Sequence, residues 1–127
     1  MKRLLLSSAI IALFVCLAIW HVNHLKNLTD ELIGQLETVR SNVEREDWQT
    51  ASRTISEVSS KWEKHAFYLH TTLRHTDIDA ILSSVRELEA FLNSREDKGE
   101  TISVIARLIN QFELLVEAEL PSIKNLL

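Results

Sequence analysis

Apolar residues recur every three or four positions along most of the chain, and this spacing predicts α-helices. With two Gly and one Pro in 127 residues, the chain has few turn residues for β-hairpins. We therefore predict an all-α fold, in which an N-terminal transmembrane helix runs into an antiparallel bundle of about four helices. The predicted core positions are Leu25, Leu28, Leu32, Leu36, Val39 and Val43; then Trp48, Ala51, Ile55, Val58, Trp62, His65 and Leu69; then Ile78, Ile81, Leu82, Val85, Leu88 and Leu92; and finally Ile102, Ile105, Ile109, Phe112 and Val116.

Polar residues between these stretches predict the connections. The first turn is expected just before Asp47, which would be the N-cap of the second helix, and Thr76 is expected to cap the third. The polar segment 93–101 is predicted to be a loop, with Thr101 as the cap of the last helix. Pro121 is expected to end that helix, because proline has no N–H and its ring crowds the preceding turn.

Residues 4–20 form an uninterrupted apolar stretch without charge, Gly or Pro. As a helix this stretch is about 26 Å long, close to the hydrocarbon thickness of about 30 Å. We predict a membrane anchor over residues 1–22 and a helical bundle over residues 23–127. A cleaved signal peptide is the alternative, since Cys16-Leu17-Ala18 fits a small-x-small cleavage site. The apolar run is longer than the usual core of about 7–15 residues, which favours an uncleaved anchor.

The charges flanking the apolar stretch predict its orientation. Lys2 and Arg3 precede it and only Lys26 closely follows it, so the positive-inside rule leaves the N-terminus in the cytoplasm. The predicted location is the cell membrane, with a single pass and an extracytoplasmic C-terminal domain. The chain has 14 Lys and Arg and 18 Asp and Glu. Because Lys2 and Arg3 precede the apolar stretch and all the acidic residues follow it, the part after the stretch carries a formal charge of −6. That acidic balance disfavours nucleic acid as a partner.

Three histidines, His65, His70 and His75, are spaced five residues apart. Each five-residue step turns a helical side chain by about 140°, so the three rings face different sides and cannot share a metal ion. We expect His65 to be half-buried with one ring nitrogen hydrogen-bonded. His21 and His24 are expected to form a polar collar beside the membrane. No metal or cofactor is predicted.

The sequence contains no arrangement of residues typical of an active site. Paired carboxylates such as Asp77 and Asp79 are two residues apart, so on a helix they point about 200° from each other. The chain has no glycine-rich phosphate loop, no HExxH and no GxSxG. We predict that it is not an enzyme and has no small-molecule substrate.

Trp48 and Trp62 are fourteen residues apart and lie on one side of the second helix, in the same stripe. Tryptophans at this spacing are typical of two layers of one core. A partner helix is an alternative occupant of the stripe if the bundle leaves it open.

The segment "HTDIDAILSSVRELEAFL", a polar loop, a last amphipathic helix and the ending "NLL" resemble an uncharacterised bacterial family of small single-pass membrane proteins. Its pattern has a Trp-bearing helix followed by His, an acidic residue, Ile or Leu, and an acidic residue. Here these are Trp62, His75, Asp77, Ile78 and Asp79, and the resemblance covers roughly residues 45–127 and the position of the anchor. It implies the helical architecture, and companionship with a multi-pass membrane protein, but it implies no chemistry.

Two functions compete on this basis. The first is a non-catalytic interaction or accessory module that is anchored in the membrane and serves a membrane or envelope protein. Its interaction or structural motif would be Trp48, Trp62, His75, Asp77 and Asp79. The second is an extracytoplasmic sensor or ligand-binding bundle that signals through a partner, since only about three residues of its own would lie in the cytoplasm.

Overall fold

The computed structural model describes residues 1–72, 75–95 and 97–126, with side chains at all of these except 66, 67, 70–72, 75 and 120–126. These residues form four helices: α1 (Lys2–Glu44), α2 (Trp48–Thr72), α3 (His75–Ser94) and α4 (Lys98–Leu126). The predicted all-α class with four helices is confirmed. The side chains of His70, His75, Asn125 and Leu126, and the whole of Leu127, lie outside the described part of the chain.

Helix α1 is one continuous rod of 43 residues, about 65 Å long. Its N-terminal half is long and apolar enough to cross a membrane, and only 6 % of its most apolar window is buried. A core helix of similar composition would be covered by its neighbours. Leu5, Leu13 and Phe14 instead expose 70 %, 59 % and 63 % of their surface. The protein therefore consists of a bundle from which an uncovered apolar helix extends.

The four helices form an antiparallel bundle in which chain neighbours are also spatial neighbours. Helices α1 and α3 each pack against both α2 and α4. Two ion pairs show that α1 and α4 run in opposite directions. Lys98, at the start of α4, lies 3.9 Å from Glu46, just after α1 ends, and Glu119, near the end of α4, lies 3.7 Å from His21. The C-terminal end of α4 therefore points toward residues 4–20 of α1, which we call the apolar segment. We call this end of the bundle its lower end.

The core is built from the predicted stripes. All six predicted positions of α1 are buried, and in α2 Ala51, Ile55, Val58, Trp62 and Leu69 expose 1 % or less. Trp62 packs edge-to-face on Phe112, with ring centroids 5.2 Å apart and an interplanar angle of 77°. The buried residues of the α2 stripe are thus covered by the other helices and leave no open seam at these five positions for a partner helix. Three core residues of α4 lie outside the predicted stripe: Val104, Leu108 and Leu115.

The first turn joins α1 to α2 through three residues and uses no glycine. Glu46 adopts a left-handed conformation with φ of 61°, its N–H donates to the Val43 carbonyl, and the Asp47 N–H donates to the Asn42 carbonyl. This pattern is a Schellman motif, which normally has glycine at the left-handed position. Asp47 Oδ1 then accepts a hydrogen bond from the Thr50 N–H at 3.3 Å. The predicted turn and the predicted N-cap at Asp47 are confirmed.

The later helix ends differ from three predictions. Asp97, not Thr101, caps α4: its Oδ1 accepts the Glu100 N–H at 3.1 Å, while Thr101 is fully buried one turn later. Helix α3 begins at His75, so Thr76 lies in its first turn instead of before it. Helix α4 continues through Pro121 to Leu126, without the backbone hydrogen bond that residue 121 would otherwise donate.

Candidate functional site

A group of aromatic, imidazole and carboxylate side chains lies where the bundle meets the apolar segment of α1. We call it the junction cluster. It brings together α1, α2 and α4, because α2 and α4 run antiparallel to α1 and their C-terminal ends lie beside the point where α1 leaves the bundle. Its members are Trp20, His21, His24, His65, Tyr68 and Glu119.

His21 connects the three helices. Its Nδ1 shares a hydrogen bond with the Tyr68 hydroxyl of α2, and its Nε2 lies 3.7 Å from Glu119 Oε2 of α4. The His21 Nε2 is buried and has no hydrogen-bond partner among the described residues. When the Tyr68 hydroxyl donates to Nδ1, the ring proton lies on Nε2, the atom that faces Glu119. His21 therefore joins α1 to both α2 and α4 at the lower end of the bundle.

His24 is the centre of a set of packed rings. It stacks on Trp20 with centroids 5.2 Å apart and an interplanar angle of 8°, and it meets the edge of Tyr68 at 5.6 Å. The His65 ring of α2 lies 5.9 Å away. Aromatic rings with one polar end are typical of the water–hydrocarbon boundary of membrane proteins. The set is suited to the depth at which α1 leaves the bundle.

His65 is half-buried, and its Nδ1 donates a hydrogen bond to the Lys61 carbonyl at 2.9 Å, as predicted from the sequence. Lys61 extends its own side chain to Glu31 of α1, with which it forms an ion pair. The ion pair links α2 to α1 just above the ring set, whereas the hydrogen bond of His65 lies within α2.

The electrostatic environment of the cluster acts on Tyr68. Burial raises the pKa of its phenol, and the negative charge of Glu119 raises it further. Both effects disfavour tyrosinate, so the hydroxyl stays protonated at neutral pH and remains available to His21.

The structure does not bring together the residues predicted as an interaction or structural motif. Trp62 is 1 % exposed inside the core, whereas Trp48 is half-buried at the opposite end of the bundle from the junction cluster. Asp77 is half-buried beside α4, while Asp79 is exposed on the surface of α3. The four side chains occupy four separate surroundings.

Two of the concave surfaces near the lower end of the bundle adjoin α4. A cavity of about 330 Å³ lies between α3 and α4, lined by Asp77, Gln111 and Leu114 among others. A groove of about 610 Å³ lies between the apolar segment of α1 and α4; we call it the lower groove. It is lined by Ile11, Phe14, Val15, Leu17, Ala18, His21 and Glu119.

The described side chains do not form a metal site. Across residues 1–65, 68, 69, 76–95 and 97–119, no three His, Cys, Asp or Glu side chains converge on one point. Cys16, the single cysteine of the chain, is exposed in the apolar segment of α1.

Sequence reasoning found part of the junction cluster. The i, i+3 spacing of His21 and His24 predicted a polar collar, and both lie in the cluster. Tyr68 and Glu119 were missed. The signal for Tyr68 was its position three residues after His65 on α2, which places it on the same face. Glu119 gave no signal, because its depth depends on the register of α4 against α1.

Comparison with known proteins places the chain in a family. A family model described as a domain of unknown function, DUF4363, matches residues 19–126. The chain belongs to this family. The resemblance to an uncharacterised family is thereby confirmed, and the match begins near the end of the predicted anchor, at residue 19. It includes every member of the junction cluster. No curated protein and no solved structure matches the chain.

Proposed function

We propose that this DUF4363 protein is a non-catalytic accessory module, held in the cell membrane by α1 and bound there to another membrane protein. In this proposal α1 is retained as a single-pass anchor, with the N-terminus in the cytoplasm and the bundle outside. The observation that carries the proposal is the exposure of the apolar half of α1, which continues without a break into the bundle. Exposed apolar area of this extent is costly in water and normal in lipid.

The surface chemistry of the bundle supports an interaction role. Its core is closed, and its charged side chains form ion pairs between helices, such as Lys61–Glu31 and Arg107–Glu87. The most distinctive polar contacts lie in the junction cluster, at the edge of the apolar segment. A module with its distinctive polar contacts in this position presents them to a neighbouring protein in the membrane or at its surface.

The test of anchoring is fractionation combined with protease accessibility from each side of the membrane. We expect the full-length chain to resist alkaline extraction, and the bundle to be digested only from the outer face. The double variant Leu13→Arg/Leu17→Arg is the control, since each arginine costs about 2.5–3.5 kcal/mol at the centre of a membrane helix. A wild-type chain recovered from the soluble fraction would contradict the proposal. Isolation in mild detergent without any stoichiometric protein partner would contradict the accessory role.

A sensor or ligand-binding bundle is the second candidate, and the cavity between α3 and α4 favours it. Its volume of about 330 Å³ is in the range of small-ligand sites, and Asp77 and Gln111 provide polar groups in an otherwise apolar lining. The carboxylate favours a cationic or amine-bearing ligand. A thermal-shift panel of such compounds tests it, with Asp77→Asn as the matched control. A panel without a shift in melting temperature would eliminate this candidate.

A further inference from the structure

The buried stripe of α1 continues beyond the bundle into the apolar segment. From Val22 to Val43, the buried residues of α1 occupy two or three positions in each run of seven, the pattern of a helix packed between two neighbours. We call this set of positions the α1 stripe. Extended toward the N-terminus, it passes through His21, Ala18, Val15, Phe14 and Ile11. The same five residues line the lower groove.

The burial of the apolar segment follows this extended stripe. Among residues 1–20, only Val15 and Ala18 are half-buried, and the others are exposed. The lower groove is therefore continuous with the established helix-packing surface of α1. From His21 to Ile11 it runs about 15 Å, or about three helical turns, which is enough for another helix to pack. Ala18, in its middle, permits close approach of a second backbone, as small residues do in membrane helix pairs.

The outer end of the lower groove is acidic. Glu119 lines it and keeps 24 % of its side chain exposed, with His21 at 3.7 Å. A carboxylate beside apolar side chains at the edge of the hydrocarbon is costly unless a cation accompanies it. A helix that fills the groove would cover Glu119, and a Lys or Arg at the outer end of that helix would compensate the charge.

A second copy of this chain is a poor occupant of the groove. Two copies in one membrane are related by a two-fold axis along the membrane normal, so their equivalent surfaces face each other at the same depth. The two Glu119 carboxylates would then meet in a region of low dielectric, where like charges repel strongly. The negative groove end favours a partner of different sequence.

We propose that the lower groove is the docking site for a transmembrane helix of another membrane protein, one that carries Lys or Arg at its outer end. This inference rests on the proposed function, because it requires α1 to lie in the membrane. It adds the surface by which the module binds and the chemistry of the segment that is bound.

The test is photocrosslinking in the membranes of the native host. A photoreactive residue is placed at Ile11, inside the groove, and in a matched variant at Leu13, two residues along and about 200° around the helix. We expect a discrete protein adduct from position 11 and none from position 13. Mass spectrometry should map that adduct to a transmembrane helix with Lys or Arg within about one turn of its outer end.

Two further substitution pairs connect the adduct to the groove. Ala18→Phe should fill it and lower the adduct yield by roughly tenfold, while Ala12→Phe, on another face, should leave the yield within about twofold. Glu119→Lys should lower the yield by roughly tenfold, and Glu119→Gln should lower it less. The melting temperature of each variant in detergent verifies that the bundle remains folded.

The remaining outcomes overturn the inference. An adduct with a second copy, revealed by co-expressed chains with two different tags, would assign the groove to self-association. Lipid adducts alone would assign it to acyl chains, and a partner helix without a basic outer end would refute the charge argument. Equal adduct yields from positions 11 and 13 would show that the partner does not bind specifically in the groove. If the chain is absent from the membrane fraction, the proposed function itself fails, which the fractionation shows separately.

Discussion

Residues 22–44 form the upper half of α1 and residues 2–20 its lower half. The two halves belong to one helix, but their surroundings differ. In the upper half, Leu25, Leu32 and Leu36 are 0 % exposed and belong to the core of the bundle. In the lower half, Leu5 and Leu13 are mostly exposed. The helix continues through the boundary at His21 without a change in backbone structure. Hydrogen bonding within a helix is the same in both settings, so the backbone of α1 does not distinguish the two halves. What differs is the material that shields the side chains from water: protein around the upper half and, in our proposal, lipid around the lower half.

The largest expected effect separates the two halves directly. Leu32→Ala should lower the free energy of unfolding of the bundle by about 2–5 kcal/mol, because it leaves a cavity in a closed core. Leu13→Ala removes the same atoms from an exposed position and should change it by less than about 0.5 kcal/mol. Denaturant unfolding in mild detergent measures both. Equal losses would mean that the lower half also packs against the bundle.

A smaller effect concerns the helix backbone within the upper half. Gly34 lies on the exposed side of α1, and a methyl group added there would meet no atom within 4 Å. Gly34→Ala should therefore raise the free energy of unfolding by about 0.5–1 kcal/mol, through lower backbone entropy of the unfolded chain. Thermal unfolding in detergent measures the change. A destabilised variant would show that this face contacts something in the folded protein.

The smallest effect lies at the boundary between the halves and appears only in alkali. The pKa of Tyr68 is raised by burial and by the charge of Glu119, so the folded state holds the phenolic proton more tightly than the unfolded state. The stability that this proton provides is complete below the unfolded pKa of about 10 and is lost as the pH rises through the folded pKa.

Tyr68 is the only tyrosine of the chain, so the ultraviolet absorption of tyrosinate reports its titration alone. We expect the midpoint of the folded protein to lie above that of the denatured chain, and Glu119→Gln to lower it. A midpoint that is unchanged in Glu119→Gln would remove Glu119 from the surroundings of Tyr68.

Much of the fold was predictable because periodicity reports burial. Each predicted stripe became a buried face, and Asp47 became a cap because a carboxylate oxygen satisfies a free N–H at the start of a helix. The turns were harder to predict, since Glu46 and Arg95 adopt left-handed conformations that sequence patterns reserve for glycine. Thr101 was mistaken for a cap because a threonine beside an apolar run has the same signature when it is buried inside the helix.

The candidate site was less predictable than the fold. His21 and His24 were identified by their spacing within α1, but their contacts with Tyr68 and Glu119 span the bundle. Such contacts depend on how far α2 and α4 descend along α1, and that distance is set by packing and turn geometry. The continuation of α4 through Pro121 illustrates the limit, because a local penalty for proline did not determine where the helix ends.

The most direct test of the account uses Cys16, the only cysteine, which is exposed on the lower half of α1. A membrane-impermeant maleimide is applied to intact membranes and again after detergent solubilisation, with Cys16→Ser/Ser103→Cys as a control that carries its thiol on the bundle surface. We expect no labelling of Cys16 before solubilisation, because lipid surrounds it, whereas the control is labelled from the outer face. Rapid labelling of Cys16 in intact membranes would show that the lower half of α1 lies in water, and would contradict the account.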